Sequence, residues 1–265
     1  MLLATLMLRD FRGKYVGSMM GIFWSVINPL LMLMVFTFVF SVIFEIRLGT
    51  APGMSHNALY IFCGVLPWLA FQESLQRSAT VLIEQKNLVT RVRFPAATLP
   101  ASIVGSSVMG MLIGLVILLV ATLAVTGRLP VQSLLIPILI ILQAGFTLGL
   151  AWFVSSVNVF FRDLQHLLPV GLLVWMYGTP IFYSPEMVRR IRPVAVPGFA
   201  ITSDRISVIL TINPLHHLIA GYRAILLEAR VPVSEIKWFA AFTALSLILG
   251  AWAFSRGRTK FADVL

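Results

Sequence analysis

Long apolar stretches separated by short charged segments organise this chain. No residue from Tyr15 to Phe44 is charged, and a polar loop with Pro52 and Gly53 follows over 45–57. Apolar sequence resumes from Leu59 to Ile83, interrupted by Glu73 and Arg77, and gives way to a charged segment from Glu84 to Arg93. Phe94 to Gly127 is again uncharged; Arg128-Leu129-Pro130 reads as a tight turn, and Leu129 to Phe161 is apolar up to Arg162-Asp163. Two further stretches, Leu164–Tyr183 and Trp238–Ser255, precede a basic tail of Arg256, Arg258 and Lys260. About 20 mostly apolar residues let a helix cross a bilayer. The pattern therefore predicts an all-α membrane protein with six transmembrane helices.

Two segments break the pattern. Over residues 1–20, Leu2, Leu3, Leu6 and Met7 alternate with Arg9, Asp10, Arg12 and Lys14. This reads as an amphipathic interface helix, with a frayed basic terminus as the plainer alternative. Between spans five and six, 185–205 is rich in Pro and Arg, and the apolar run 206–222 is interrupted by Asn213-Pro214. Proline removes a helix hydrogen bond and turns its predecessor away from helical geometry. Two re-entrant half-helices are expected there, of the kind tolerated where protein or water surrounds the backbone. A complete seventh span is the alternative.

Composition agrees. Of 265 residues, 59% are hydrophobic and 11% charged, against roughly a quarter charged in soluble domains; the mean hydropathy is +0.95. The net charge of +10 is explained by basic residues at helix ends, and no polar domain offers a basic face to nucleic acid, so no nucleic-acid partner is expected. The single cysteine, Cys63, excludes an internal disulfide. No cleavable signal peptide is recognised, because the first apolar segment is too long and lacks a small-residue cleavage site.

Basic residues also orient the chain. The N-terminal segment, the 84–93 loop, the Arg162 turn and the tail hold ten Lys and Arg, whereas the short opposite loops hold Arg47 and Arg128. The positive-inside bias puts both termini in the cytoplasm. The seven Lys and Arg of 184–237 run against it, although long loops weigh less in this rule.

Candidate chemistry is sparse. There is no G-x-x-x-x-G-K-[ST] run, and Gly110 and Gly114 have a helix-packing spacing. His216 and His217 are adjacent, so on a helix they point about 100° apart and share an ion poorly. Glu73 reads as the one acid well inside a span, with Arg77 four residues on along the same face; a structural ion pair is favoured over a channel-lining role. Phe36, Phe40 and Phe44 drift only about 40° per four-residue step and form one stripe, with Phe38 nearby. Trp175, Tyr177, Phe182 and Tyr183 add aromatics from span five. Such faces suit sliding contact with sugars; ordinary packing, lipid contact or an interfacial belt is the alternative.

Several blocks together resemble a known family: Gly21-Ile22-Phe23-Trp24 with Asn28-Pro29-Leu30; Gly64-Val65-Leu66-Pro67-Trp68 with Phe71; Asn87 through Pro95, with Pro100; Asn158 with Arg162-Asp163; Thr179-Pro180-Ile181-Phe182-Tyr183; and Asn213-Pro214-Leu215 with Gly221-Tyr222-Arg223. In this order, over nearly the whole chain, they resemble the ABC-2 type permeases that export O-antigen, capsular and teichoic-acid polysaccharides. The resemblance implies a single ABC-2 type transmembrane domain over 1–265 in the inner (plasma) membrane. It implies a homodimer of six-span protomers served by two copies of a cytoplasmic ATPase subunit, which would carry the ATP and Mg; this chain would bind no cofactor and no metal and catalyse nothing itself. Residues 84–97 would be the coupling helix, docking through Asn87, Leu88, Arg91, Arg93, Phe94 and Pro95, and 184–223 the periplasmic gate region. The cargo would be a polysaccharide, most simply O-antigen, on undecaprenyl diphosphate. Arg9, Arg12 and Lys14 would draw its headgroup to the channel entrance or serve as plain anchors, and Phe36, Phe40, Phe44, Tyr177 and Tyr183 would line the path. Arg189, Arg190 and Arg192 make the gate region more basic than the resemblance leads one to expect. An ABC-2 permease for a small drug or lipid, and an intramembrane enzyme acting on lipid-linked sugars, are the competing functions; the second would need clustered acids or a metal motif that the sequence lacks.

Overall fold

A computed structural model describes residues 2–14, 16–17, 19–43, 53–91, 95–189, 194–196, 199–201 and 203–264. The N-terminal helix α1 (Leu2–Gly13) is followed by a 3-10 turn over Gly21–Phe23 and by α2 (Trp24–Thr37), which continues as a π-helical segment, Phe38–Ile43. Then come α3 (Met54–Glu84), the short α4 (Lys86–Arg91), α5 (Thr98–Thr126), a 3-10 turn over Val131–Leu135 and α6 (Ile136–Phe160). The remaining elements are α7 (Leu164–Gly178), α8 (Pro185–Arg189), strands β1 (Val194–Val196) and β2 (Phe199–Ile201), α9 (Ser203–Ile212), α10 (Pro214–Leu226), α11 (Val233–Gly257) and α12 (Phe261–Val264).

Among the described residues, four units are long and apolar enough to cross a membrane: α3, α5, α6 together with its 3-10 lead-in, and α11. The chain is thus a multi-pass membrane protein. The two other expected spans are shorter. The α2 helix has 14 residues and reaches further only through its π-helical extension. The α7 helix has 15 residues and stops at Gly178 rather than Tyr183, because Thr179 turns to extended backbone and Pro180 cannot continue the helical ladder.

The fold departs from a purely helical reading in one place. Strands β1 and β2 pair antiparallel, with Val194 opposite Ile201 and Val196 opposite Phe199. At Asn213-Pro214 the chain breaks between two short helices, α9 and α10.

Helix α3 is the hub. From Leu59 to Phe71 every residue but Leu69 is buried. Trp68 and Phe71 meet Trp175 of α7 edge-on, and Phe71 stacks on Phe146 of α6 at 5.9 Å. The α6 and α11 helices touch through their backbones. A Cβ on Gly250 would overlap the Gly149 carbonyl, and one on Gly149 would overlap the Ser246 backbone. Ser246 donates to the Phe146 carbonyl at 2.8 Å and Thr243 to that of Leu142 at 3.2 Å, a small-residue packing suited to lipid, where polar groups need partners. Gly127 ends α5 in the left-handed region (φ 74°) while its N–H bonds the Leu123 carbonyl, a conformation open to glycine.

Helix α3 is longer than a membrane span requires. Its 31 residues extend about 46 Å at 1.5 Å per residue, against about 30 Å of hydrocarbon. Met54 to Gln72 contains no Asp, Glu, Lys or Arg. Glu73 and Arg77 lie beyond that stretch, in the C-terminal part of α3 that ends at Glu84. Their mutual contact is the longest in a larger network, 3.4 Å.

Candidate functional site

The α1 helix packs on α5 and meets the C-terminal part of α3 through ion pairs. Its apolar face is seated by Phe11, which is buried, and by Met7, which fills the space a side chain on Gly105 of α5 would need. Leu2, Leu3 and Leu8 face outward, as do Arg9 and Arg12. Between α1, the start of α2, α3 and α5 is a cavity of about 980 Å³ whose lining includes Arg9, Asp10, Lys14, Asn28, Glu73, Arg77, Gln85 and Leu88.

Charge is paired across this cavity. Arg77 holds Asp10 with both terminal nitrogens, Nη2 to Oδ1 at 2.5 Å and Nη1 to Oδ2 at 2.9 Å. Lys14 Nζ lies 2.6 Å from Glu73 Oε1. Burial acts to raise the Asp10 pKa, but the hydrogen bonds from Arg77, the neighbouring Ser106 hydroxyl of α5 and the charges of Arg77 and Lys14 outweigh it, holding the carboxyl below its ordinary 3.8. Of the three basic residues expected at the entrance, Arg9 and Lys14 line the cavity, Lys14 already paired, and Arg12 does not line it.

The short α4 helix follows α3 directly, the Gln85 N–H bonding Val81 O and the Leu88 N–H bonding Gln85 O. Asn87 is exposed, and Leu88 turns toward the cavity. The side chain of Arg91 is not described, and Arg93 and Phe94 lie outside the described residues. Pro95 is exposed, and its carbonyl accepts from both the N–H and the hydroxyl of Thr98, at 2.8 and 2.7 Å. Trp152 of α6 donates to Ala97 O at 3.0 Å and borders a second cavity of about 480 Å³ with Pro95, Phe254, Arg258 and Phe261.

Three of the sequence blocks meet far from this region. Arg223 of α10 is buried at 5% exposure. It donates to Tyr60 O at 3.2 Å from Nε and Nη2, to Pro180 O at 2.6 Å and to Ile181 O at 2.8 Å. Gly64 makes room for this, since a Cβ there would come within 3.2 Å of both Arg223 Nη2 and Ile181. Asn213 completes the clasp. Its Oδ1 caps α10 through Leu215 N (3.1 Å) and accepts from Trp175 Nε1 (3.0 Å), while Nδ2 donates to Thr179 Oγ1 (2.8 Å) and Gly178 O (3.3 Å). Asn158 does similar work elsewhere, donating to Ala79 O at 2.8 Å and accepting from Gln165 N at 3.1 Å. His217 is stacked against Trp238 and Phe242 and bonds Thr211 O at 2.8 Å, which is packing rather than ligation. Among the described residues, no group of three or more His, Cys, Asp or Glu is placed to hold a metal.

Some of the aromatics expected along the path touch one another. Phe36 packs on Phe182 at 4.9 Å between ring centroids, and Tyr177 approaches the same ring at 6.2 Å. The Tyr183 carbonyl accepts from the Tyr60 hydroxyl at 3.5 Å. The side chain of Phe40 is not described and Phe44 lies outside the described residues. The π-helical turn that begins at Phe38 carries i to i+5 hydrogen bonds, so the α-helical phase that aligned Phe36, Phe40 and Phe44 does not continue past it.

Residues 1–227 match the family described as ABC-2 type transporter. The chain is 31% identical over 267 aligned positions, 99% of its own length and 94% of the relative's, to the O-antigen export system permease protein RfbA of Myxococcus xanthus. It is 27% and 28% identical to two proteins of the same description from Klebsiella pneumoniae, over 100% of this chain and 95% of each of them.

Proposed function

Because this chain belongs to the ABC-2 type transporter family, which it matches over residues 1–227, and is therefore a transporter membrane subunit rather than an enzyme, we propose that it exports O-antigen. The single observation that carries this is the end-to-end similarity to three O-antigen export permeases. In this reading the cargo is an O-antigen polymer on undecaprenyl diphosphate, crossing the inner membrane through a homodimer driven by two ATPase subunits. The protomer crosses six times with both termini cytoplasmic. The continuous helical run from Trp24 to Ile43 supports α2 as a span. The turn over 179–184, buried except at Tyr183, lengthens the 15-residue apolar α7 and supports it as another.

Exposed apolar faces on α2 (Leu30, Met34) and α7 (Val170, Val174) fit a surface shared between protomers and lipid. The outward leucines of α1 fit the cytoplasmic interface, and the cavity behind α1 admits the diphosphate headgroup. Residues 84–97 form the coupling element: α4 projects from α3, and Trp152 ties the segment's exit to α6. The region 184–223 forms the periplasmic gate, fastened by Arg223 and Asn213.

Deletion of the gene tests this. The surface should lose O-antigen while lipid-linked polymer accumulates in the cytoplasm, and a plasmid copy should reverse both. An unchanged surface polymer would exclude O-antigen as cargo. Reversing charge at Arg91 and Arg93 together should uncouple export from ATP hydrolysis without loss of inserted protein.

A further inference from the structure

Three cations, Arg9, Lys14 and Arg77, and two carboxylates, Asp10 and Glu73, surround the cavity behind α1. Arg77 offers both terminal nitrogens to Asp10 in a fork, the arrangement in which a guanidinium takes carboxylate and phosphate alike. Lys14 meets Glu73 at 2.6 Å. Arg9 lines the same space and makes no ion pair among the described residues. Both pairs cross the same boundary. Asp10 belongs to α1 and Lys14 follows it directly, whereas Arg77 and Glu73 belong to α3. Neither pair is sealed, since side-chain exposures run from 15% to 40%.

The geometry points to Asp10 and Glu73 as internal stand-ins for phosphate, which hold the cationic cradle of Arg77, Lys14 and Arg9 until the diphosphate headgroup of an incoming lipid-linked glycan displaces them and frees α1 from α3. This rests on the reading above that the cavity admits that headgroup, and it adds Arg77 as a ligand. Exchange is physically reasonable because the cations trade one charged acceptor for another and are never left unsatisfied, which is the costly alternative. The displaced carboxylates are partly exposed already, so they return to water. With them in place three cations face two carboxylates; with them displaced, all three cations face the diphosphate. Loading the site and releasing the ion pairs that tie α1 to α3 are then one event, with α1 left held by its packing on α5.

The test uses the full chain in phosphatidylcholine nanodiscs, titrated with radiolabelled undecaprenyl diphosphate, with undecaprenol as the control lacking phosphate. Asp10→Asn and Glu73→Gln should tighten binding about tenfold, about 1.4 kcal/mol, and Arg77→Gln and Lys14→Gln should weaken it by a similar factor. Asp10→Asn and Arg77→Gln break the same ion pair, so opposite signs arise only if the carboxylate competes with the ligand. Hydrogen exchange over residues 2–13 should rise when undecaprenyl diphosphate is added to the unmodified chain. Weaker binding in all four variants, no change in any, or unchanged exchange in α1 would overturn the displacement while leaving the headgroup reading in place. Absence of saturable, phosphate-dependent binding in the unmodified chain and in all variants would overturn both.

Discussion

Arg223 lies over the ring of Tyr60, its guanidinium carbon 3.5 Å from the ring centroid, and donates to the Tyr60 carbonyl as well. Among the described residues no carboxylate lies within ion-pair distance of this buried cation. It is held by backbone carbonyls of α3 and of the turn after α7, and by the face of one aromatic ring. Only a planar, multiply donating cation spans all of these at once. Arg223→Lys should therefore lower stability by about 3 kcal/mol, the order of one or two charge-assisted hydrogen bonds, and Arg223→Met by more. Thermal unfolding of the detergent-solubilised protein measures this; a Lys variant as stable as the parent would show that the clasp carries no weight.

The contact between Gly149 and Gly250 gives a second prediction with an internal control. A methyl group on Gly250 must push α6 and α11 apart, because it meets backbone and not a side chain that could rotate. Gly250→Ala should cost about 1–3 kcal/mol and reduce the amount of folded protein. Nothing lies within 4 Å of a Cβ at Gly110, so Gly110→Ala should be neutral or slightly stabilising through helix propensity. Equal effects at the two sites, read by the same thermal assay, would contradict the close packing.

How much of this was legible in the sequence depends on the range of the interaction. The apolar runs predict the long helices because burial in lipid is a local, repetitive demand, and Asn213-Pro214 predicts the helix break for the same reason. The partner of Arg77 was not legible. Its neighbour on the helix face is Glu73, yet its better hydrogen bonds go to Asp10, 67 positions away, and no local rule ranks those two carboxylates. Arg223 stood out only as a member of a block; that it fastens the Pro180-Ile181 turn to α3 follows from tertiary contact. The β-hairpin had a local signal that went unused: the apolar triplets Val194-Ala195-Val196 and Phe199-Ala200-Ile201 flank Pro197-Gly198, a turn dipeptide. The phase change at Phe38 had none, since nothing in the sequence of α2 marks where α-helical bonding gives way to π-helical bonding.

The ion pairs of α1 make its docking sensitive to acid. The Asp10 pKa is lowered from 3.8 in the folded protein, so the protonated form is favoured by unfolding or release of α1. The contribution is complete above about pH 4 and is lost as pH falls through the lowered folded value. Lys14, Glu73, Arg77 and Arg9 are the other charged groups around it. Hydrogen exchange over residues 2–13 should therefore be flat from pH 7 to pH 5, once corrected for intrinsic rates, and should rise below about pH 4. In Asp10→Asn it should already be raised at pH 7. A parent protein whose α1 protection declines between pH 7 and pH 5 would place the controlling group elsewhere.

The last prediction concerns the aromatic contact between α2 and the turn after α7. A polymer that slides needs many broad, weak contacts, and ring faces provide them without the directional hold of an ion pair. Phe36, Phe182 and Tyr177 form a connected series with Phe182 at the centre. Phe182 is buried at 5% exposure while Tyr177 is 61% exposed, so the two rings have different parts: Phe182 seats its neighbours, and Tyr177 offers its face to whatever passes. Phe36→Leu and Tyr177→Leu keep the apolar volume and remove the ring. If the series lines the path, the Tyr177→Leu variant should export less O-antigen per ATP hydrolysed while assembling normally, and Tyr177→Phe, which keeps the ring, should export at the parental level. Phe182→Leu should instead lower thermal stability, by about 1 kcal/mol for an imperfect volume match in a packed site. Full export by Tyr177→Leu would leave Phe36, Phe182 and Tyr177 as helix packing and lipid contact, and the path for the sugar would have to run along another face of α2.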